Sequence, residues 1–242
     1  RYLVRSRGLG DVYKRQQQGN WFPTCPLMHL KKGAFHGHAD SLPFTKLPEA
    51  TFKVDGELPT NLTVSQAAKR IPAYQLPAVW FPYRKMGMST TDILADSTQG
   101  KFGPFSGQLF CGEFTMSFVS RVFLEKVDGE YQGVVFPFLR GFRTGVNRLI
   151  LGPDGNLYVG GLQRTWACIA PDPASLERVS FNGNTPISIA KVEAKPDGFL
   201  LTFTKLAKPS AANPDNFDVS QFRYAYQPGY GSPRYNFHGE KN

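Results

Sequence analysis

The chain lacks a long hydrophobic run. Nothing in it approaches the roughly 18 consecutive apolar residues of a membrane-spanning helix. The most apolar stretch, residues 74–83, is short and interrupted by Pro77 and Pro82. Cysteine is scarce: Cys25, Cys111 and Cys168 are far apart and form no C-x-x-C pair. That excludes a zinc module and a dithiol redox motif, and leaves any single disulfide pairing open. Cys111, inside Leu109-Phe110-Cys111-Gly112, reads as a small buried hydrophobe. No Gly-x-Ser-x-Gly elbow is present, so a serine hydrolase has no support. Gly152-Pro153-Asp154-Gly155 is not followed by the Lys-Ser/Thr of a phosphate loop. Asp92, Asp96 and Glu113 are scattered acids without the pairing that glycoside hydrolysis requires.

Acidic residues are also in deficit: 19 against 28 Lys and Arg, for a net charge of +9. Much of the excess is terminal. Residues 1–16 carry Arg1, Arg5, Arg7, Lys14 and Arg15 against Asp11 alone. Two readings stand for this segment: a non-native leader of adapter read-through, or a basic arm for an anionic surface. The remaining positive charge is spread without clusters, which argues against nucleic-acid binding.

What the chain has is glycine, proline and aromatics: 24 Gly, 19 Pro, 20 Phe and 10 Tyr. Frequent turns with many aromatics favour an all-β fold. Strands are expected at 77–83, 108–112, 119–127, 131–138, 147–151, 157–161 and 176–181, with a short one within residues 21–30. Asp128-Gly129 is a hairpin signal, and Pro153-Asp154-Gly155 reverses the chain between two apolar runs. Residues 47–70 read as a long loop or insertion. Its one helix is expected at 63–70, where Thr63 or Ser65 can cap an Ala-rich turn.

A weak repeat is visible. Gly107-Gln-Leu-Phe-Cys-Gly112 followed by an Arg121-Val122 strand matches Gly155-Asn-Leu-Tyr-Val-Gly160 followed by an Arg178-Val179 strand. The offset is about one propeller blade. After Pro186 the pattern changes. Ile187, Ile189 and Val192 lead to an Asp197-Gly198 turn, then residues 199–203, a polar Ala-rich loop, 217–219 and the aromatic run 222–226.

In order along the chain stand Gly33-Ala-Phe35-His-Gly37-His38, Pro77-Ala-Val-Trp-Phe-Pro82, Phe102-Gly-Pro-Phe105, Gly107-Gln-Leu-Phe-Cys-Gly112, Arg121-Val-Phe-Leu124 and Gly152-Pro-Asp-Gly-Asn-Leu-Tyr-Val159. Together these resemble the late half of glucose/sorbosone dehydrogenase-like β-propellers, which include soluble quinoprotein sugar dehydrogenases. The resemblance implies an all-β, open-arc partial propeller of four-stranded antiparallel blades over residues 17–183. Residues 184–242 resemble the truncated start of an immunoglobulin-like β-sandwich. About three blades cannot close a ring, so residues 17–242 alone are expected to aggregate and to show no dehydrogenase activity.

For function, the resemblance implies a bacterial, periplasmic or extracellular parent. That parent oxidises a sugar or alcohol with pyrroloquinoline quinone (PQQ) over calcium, and passes electrons to a redox partner or an attached cytochrome domain. The alternative is a non-catalytic propeller that binds carbohydrate or a protein partner. The family's general-base histidine lies in its early half, so no catalytic residue is assigned here. Arg143, Arg148, Arg164 and Trp166, with Arg140 nearby, are candidates to line a pocket for an acidic cofactor or a sugar. Where the quinoprotein enzymes carry Arg-Asp before the turn, this chain has Asn147-Arg148. His36 and His38, two apart with His29 upstream, are the candidate metal ligands, since i and i+2 share one face of a strand.

Overall fold

The computed structural model describes residues 4–5, 12–15, 18–50, 53, 61–163 and 167–236. The strands are β1 (Val4–Arg5), β2 (Val12–Arg15), β3 (Cys25–Leu30), β4 (Leu62–Thr63), β5 (Val79–Phe81), β6 (Thr90–Ala95), β7 (Leu109–Glu113) and β8 (Phe118–Val127). They continue with β9 (Glu130–Arg140), β10 (Val146–Leu151), β11 (Leu157–Leu162), β12 (Ala174–Val179), β13 (Ile189–Lys195), β14 (Gly198–Phe203), β15 (Arg223–Tyr226) and β16 (Arg234–Tyr235). One α-helix, α1 (Val64–Arg70), and short 3-10 turns complete the described elements. The molecule is all-β, as expected, and every sheet among the described residues is small, antiparallel and open.

The chain forms two compact units. Residues 1–83 and 220–242 make the first, and 84–219 the second. In the first, one sheet runs β1-β2-β3-β5 and another β16-β15-β4. Strands β1 and β2, from the segment read as a leader or a basic arm, pair here: β2 lies against β3, with Arg15 opposite Leu27. An uncovered edge of β3 offers unpaired amides and carbonyls that an adjacent extended segment satisfies. Helix α1 starts where the sequence placed it. The Thr63 hydroxyl accepts from the Gln66 amide and the Gln66 side chain accepts from the Thr63 amide. That reciprocal pair satisfies donors the first helical turn leaves open. The core packs Trp21 against Tyr226 at 4.9 Å, around Phe35, Val64 and Ile71.

The second unit is built of meanders. Sheet β6-β7-β8-β9 has four strands in sequence order, and β10-β11-β12 follows with three. The first is a complete four-stranded blade by connectivity; β6, its first strand, was missed from the sequence. Asp128 and Gly129 both adopt positive φ, 49° and 84°, so β8 and β9 meet at the tight turn that Asp-Gly favours. At the second turn Asp154 accepts from the Asn156 side-chain Nδ2 at 2.7 Å, from the Tyr158 hydroxyl at 2.8 Å and from the Asn156 backbone amide at 3.1 Å. These bonds hold its carboxyl below the usual carboxylate range.

The two sheets are joined by side chains. The Thr91 hydroxyl donates to the Val146 carbonyl at 2.8 Å, and Asp92 accepts from the Leu149 amide at 3.0 Å. Gly112 makes the approach possible, because a Cβ there would lie 2.8 Å from Val146 Cγ1. The core between them is aromatic, with Phe110 and Phe138 stacked at 4.9 Å beside Phe102.

The region expected as one terminal module is divided. The hairpin β13-β14 lies in the second unit, whereas β15 pairs with β4 in the first, Ala225 opposite Thr63. Tyr224 and Tyr226 supply the reason: their rings complete the core around α1. Residues 217–219, expected as a strand, form none.

Candidate functional site

The largest fully buried side chain of the second unit is Arg121. It lies on β8 between Ser120 and Val122, and all five residues from Phe118 to Val122 are buried. A strand buried on both faces keeps its arginine almost entirely out of water, and Arg121 is 2% exposed. Nη1 donates to Gln108 Oε1 and to the Ala190 carbonyl at 2.8 Å, and Nη2 donates to the Ile189 carbonyl at 2.8 Å. Phe105 and Phe136 place their ring centroids 4.0 and 4.2 Å from the guanidinium carbon. Burial lowers its pKa to about 10, so it stays protonated at neutral pH. Arg121 also lines a cavity of about 310 Å³ with Phe102, Phe105, Phe138, Phe181 and Asn184. The sequence reading placed Arg121 only on a strand face. The available signal was an arginine inside Phe118-Val-Ser-Arg-Val122, where a solvated strand face would alternate.

Glu113 is another buried charged residue. It has no exposure and accepts from the backbone amides of Met88 at 3.0 Å, Met116 at 2.6 Å and Ser89. This carboxylate clasps two loops and offers nothing to a substrate.

The sequence candidates divide between the two units, with Arg143 and Arg148 in the second and His36 and His38 in the first. Arg143 is exposed and grips Asp172 through two bonds, Nε to Oδ2 and Nη2 to Oδ1 at 3.0 Å, which raises its pKa. Its amide donates to Glu177 Oε1 at 2.9 Å. Arg148 Nη1 donates to the carbonyl of Asn147 at 3.0 Å and to its side-chain oxygen at 3.2 Å. Arg164 and Trp166 lie outside the described residues. Arg143 and Arg148 are thus both bonded to neighbouring residues.

His36 and His38 belong to the first unit and do not lie in a strand. Gly37 between them has φ 100°, and Tyr226 Oη donates to its carbonyl at 3.0 Å. The bend removes the premise that i and i+2 share a face. His38 is exposed, with Nδ1 4.0 Å from Asp40, and Asp40 also accepts from Trp21 Nε1 at 2.9 Å. Among the described residues no group of three or more His, Cys, Asp or Glu is placed to hold a metal ion. No disulfide joins the three cysteines.

No family model matches the chain, and no curated protein matches it. Among solved structures, a protein of Thermus thermophilus named as a candidate oxidoreductase (glucose dehydrogenase) shares 18% identity at a TM-score of 0.45. The match covers 73% of this chain and 43% of that one, so the chain spans less than half the length of that structure.

Proposed function

We propose that the chain is a blade-bearing portion of a glucose/sorbosone dehydrogenase-like β-propeller protein. In this reading the intact protein oxidises a sugar or alcohol outside the cytoplasm, with PQQ over calcium as hydride acceptor. The described residues serve as scaffold for that centre. The observation that carries the reading is the succession of meanders, β6-β9 and then β10-β12. They hold the Gly107–Gly112, Arg121–Leu124 and Gly152–Val159 motifs in the order the resemblance requires. A scaffold role agrees with the spending of Arg143 on Asp172 and of Arg148 on Asn147.

The same commitments favour a second reading, a propeller that binds carbohydrate or a protein partner without catalysis. Dye reduction with PQQ, calcium and aldoses tests both. The 242-residue chain is expected to give no quinone-dependent rate, and the longer parent a clear one. A rate from this chain alone contradicts the scaffold role. A parent that binds carbohydrate but neither binds PQQ nor turns over moves the conclusion to the second reading.

A further inference from the structure

Buried charges are normally paired, and Arg121 is not. Every acceptor it uses is neutral: one amide oxygen and two backbone carbonyls, with a phenyl ring on each side. A guanidinium carries five N–H donors. Three bonds account for both on Nη1 and one on Nη2. The Nε–H and the second Nη2–H are left over, and Nε is itself buried without a partner. Two unused donors on one cation form a demand for a carboxylate, the anion whose two oxygens match such a fork.

The surroundings narrow the occupant further. Arg121 belongs to the wall of the 310 Å³ cavity, whose buried part is formed with Phe102 and Phe105. Its outer residues, Ser180, Asn184 and Pro186, are exposed, so the space opens to solvent. The volume is at the lower end for small-molecule sites. Aromatic walls suit a flat apolar body and give a free inorganic anion nothing in return for its hydration. We propose that this cavity binds a small aromatic carboxylate, its ring among the phenylalanines and its carboxylate on the two donors that Arg121 leaves open. This site is separate from the quinone chemistry of the intact protein and stands whether or not that reading holds.

Isothermal titration of the 242-residue chain with trans-cinnamate, cinnamyl alcohol and inorganic phosphate tests it. Cinnamate is expected to saturate one site about ten-fold or more tighter than the alcohol, the worth of a charge-assisted bond. Phosphate is expected not to bind there. Arg121→Met should bring cinnamate down to the affinity of the alcohol. Because that variant also removes the tie to β13, Asn184→Trp at the exposed opening provides the second arm. It should weaken cinnamate and leave the melting temperature unchanged. Equal affinity for cinnamate and the alcohol, no cinnamate binding by the folded chain, or phosphate binding as tight as cinnamate would each overturn the proposal.

Discussion

Glu113 and the buried tyrosines carry the sharpest energetic consequences at the scale of single residues. Removing the Glu113 carboxylate takes the acceptor from three part-buried backbone amides. Each orphaned donor costs on the order of 1 kcal/mol or more, so Glu113→Ala should lower unfolding free energy by about 3 kcal/mol in a urea titration. The tyrosines govern alkaline behaviour. Burial raises Tyr224 to about 12, and raises Tyr74 and Tyr226 further. A phenol whose folded pKa lies above its unfolded value of about 10 contributes stability that is complete below that value and lost as pH climbs through the folded one. Arg121 has the opposite sign. Between about 10 and its unfolded value the folded chain has released a proton the unfolded chain keeps, so its contribution rises with pH. Three tyrosines outweigh one arginine. The melting temperature followed by circular dichroism should fall from about pH 10 upward, and Tyr224→Phe should make the fall shallower. A melting temperature that rises over that range would refute the assignment.

At the scale of elements, Thr63 and Gly112 test the local logic. Thr63→Ala removes one half of a capping box and should cost about 1 kcal/mol. Gly112→Ala puts a methyl group 2.6 Å from Thr91 Oγ1 and 2.8 Å from Val146 Cγ1. Overpacking of that kind costs about 2 kcal/mol, and Gly112→Ala should show it by urea unfolding. If the variant is as stable as the parent, the two sheets do not approach there.

The same elements mark what could be read in advance. The capped helix and the Asp128-Gly129 hairpin are local chemistry, so their residues announce them; the turn between β13 and β14 falls one residue earlier than Asp197-Gly198, at Pro196-Asp197. Strand β6 was invisible because Thr90-Thr-Asp-Ile-Leu-Ala95 lacks alternation: a register shift between Thr90 and Ile93 breaks the period. Arg121 was legible as a strand residue but not as a buried one, because its lid comes from Ile189 and Ala190, far along the chain. The destination of β15 was likewise hidden in a pairing with Leu62 and Thr63 that no local pattern encodes.

At the scale of the whole molecule, the second unit leaves apolar side chains in water. Leu176 on β12 is 76% exposed and Phe199 on β14 is 67% exposed, with Ile150 and Ile187 also open. Strand β12 ends its sheet among the described residues. Edges and apolar surface of this kind promote self-association. Light scattering of the purified chain should therefore rise with concentration, and the double substitution Leu176→Lys with Phe199→Lys should suppress the rise; unchanged scattering would contradict it. That solubilised variant opens the most direct test of the two-meander architecture, a nuclear Overhauser map of the second unit. Cross-strand contacts are expected for Cys111 with Ser120, Val122 with Val135 and Tyr158 with Arg178, together with inter-sheet contacts between Thr91 and Val146. A map that lacks the inter-sheet contacts, or pairs these strands in parallel, would contradict the account.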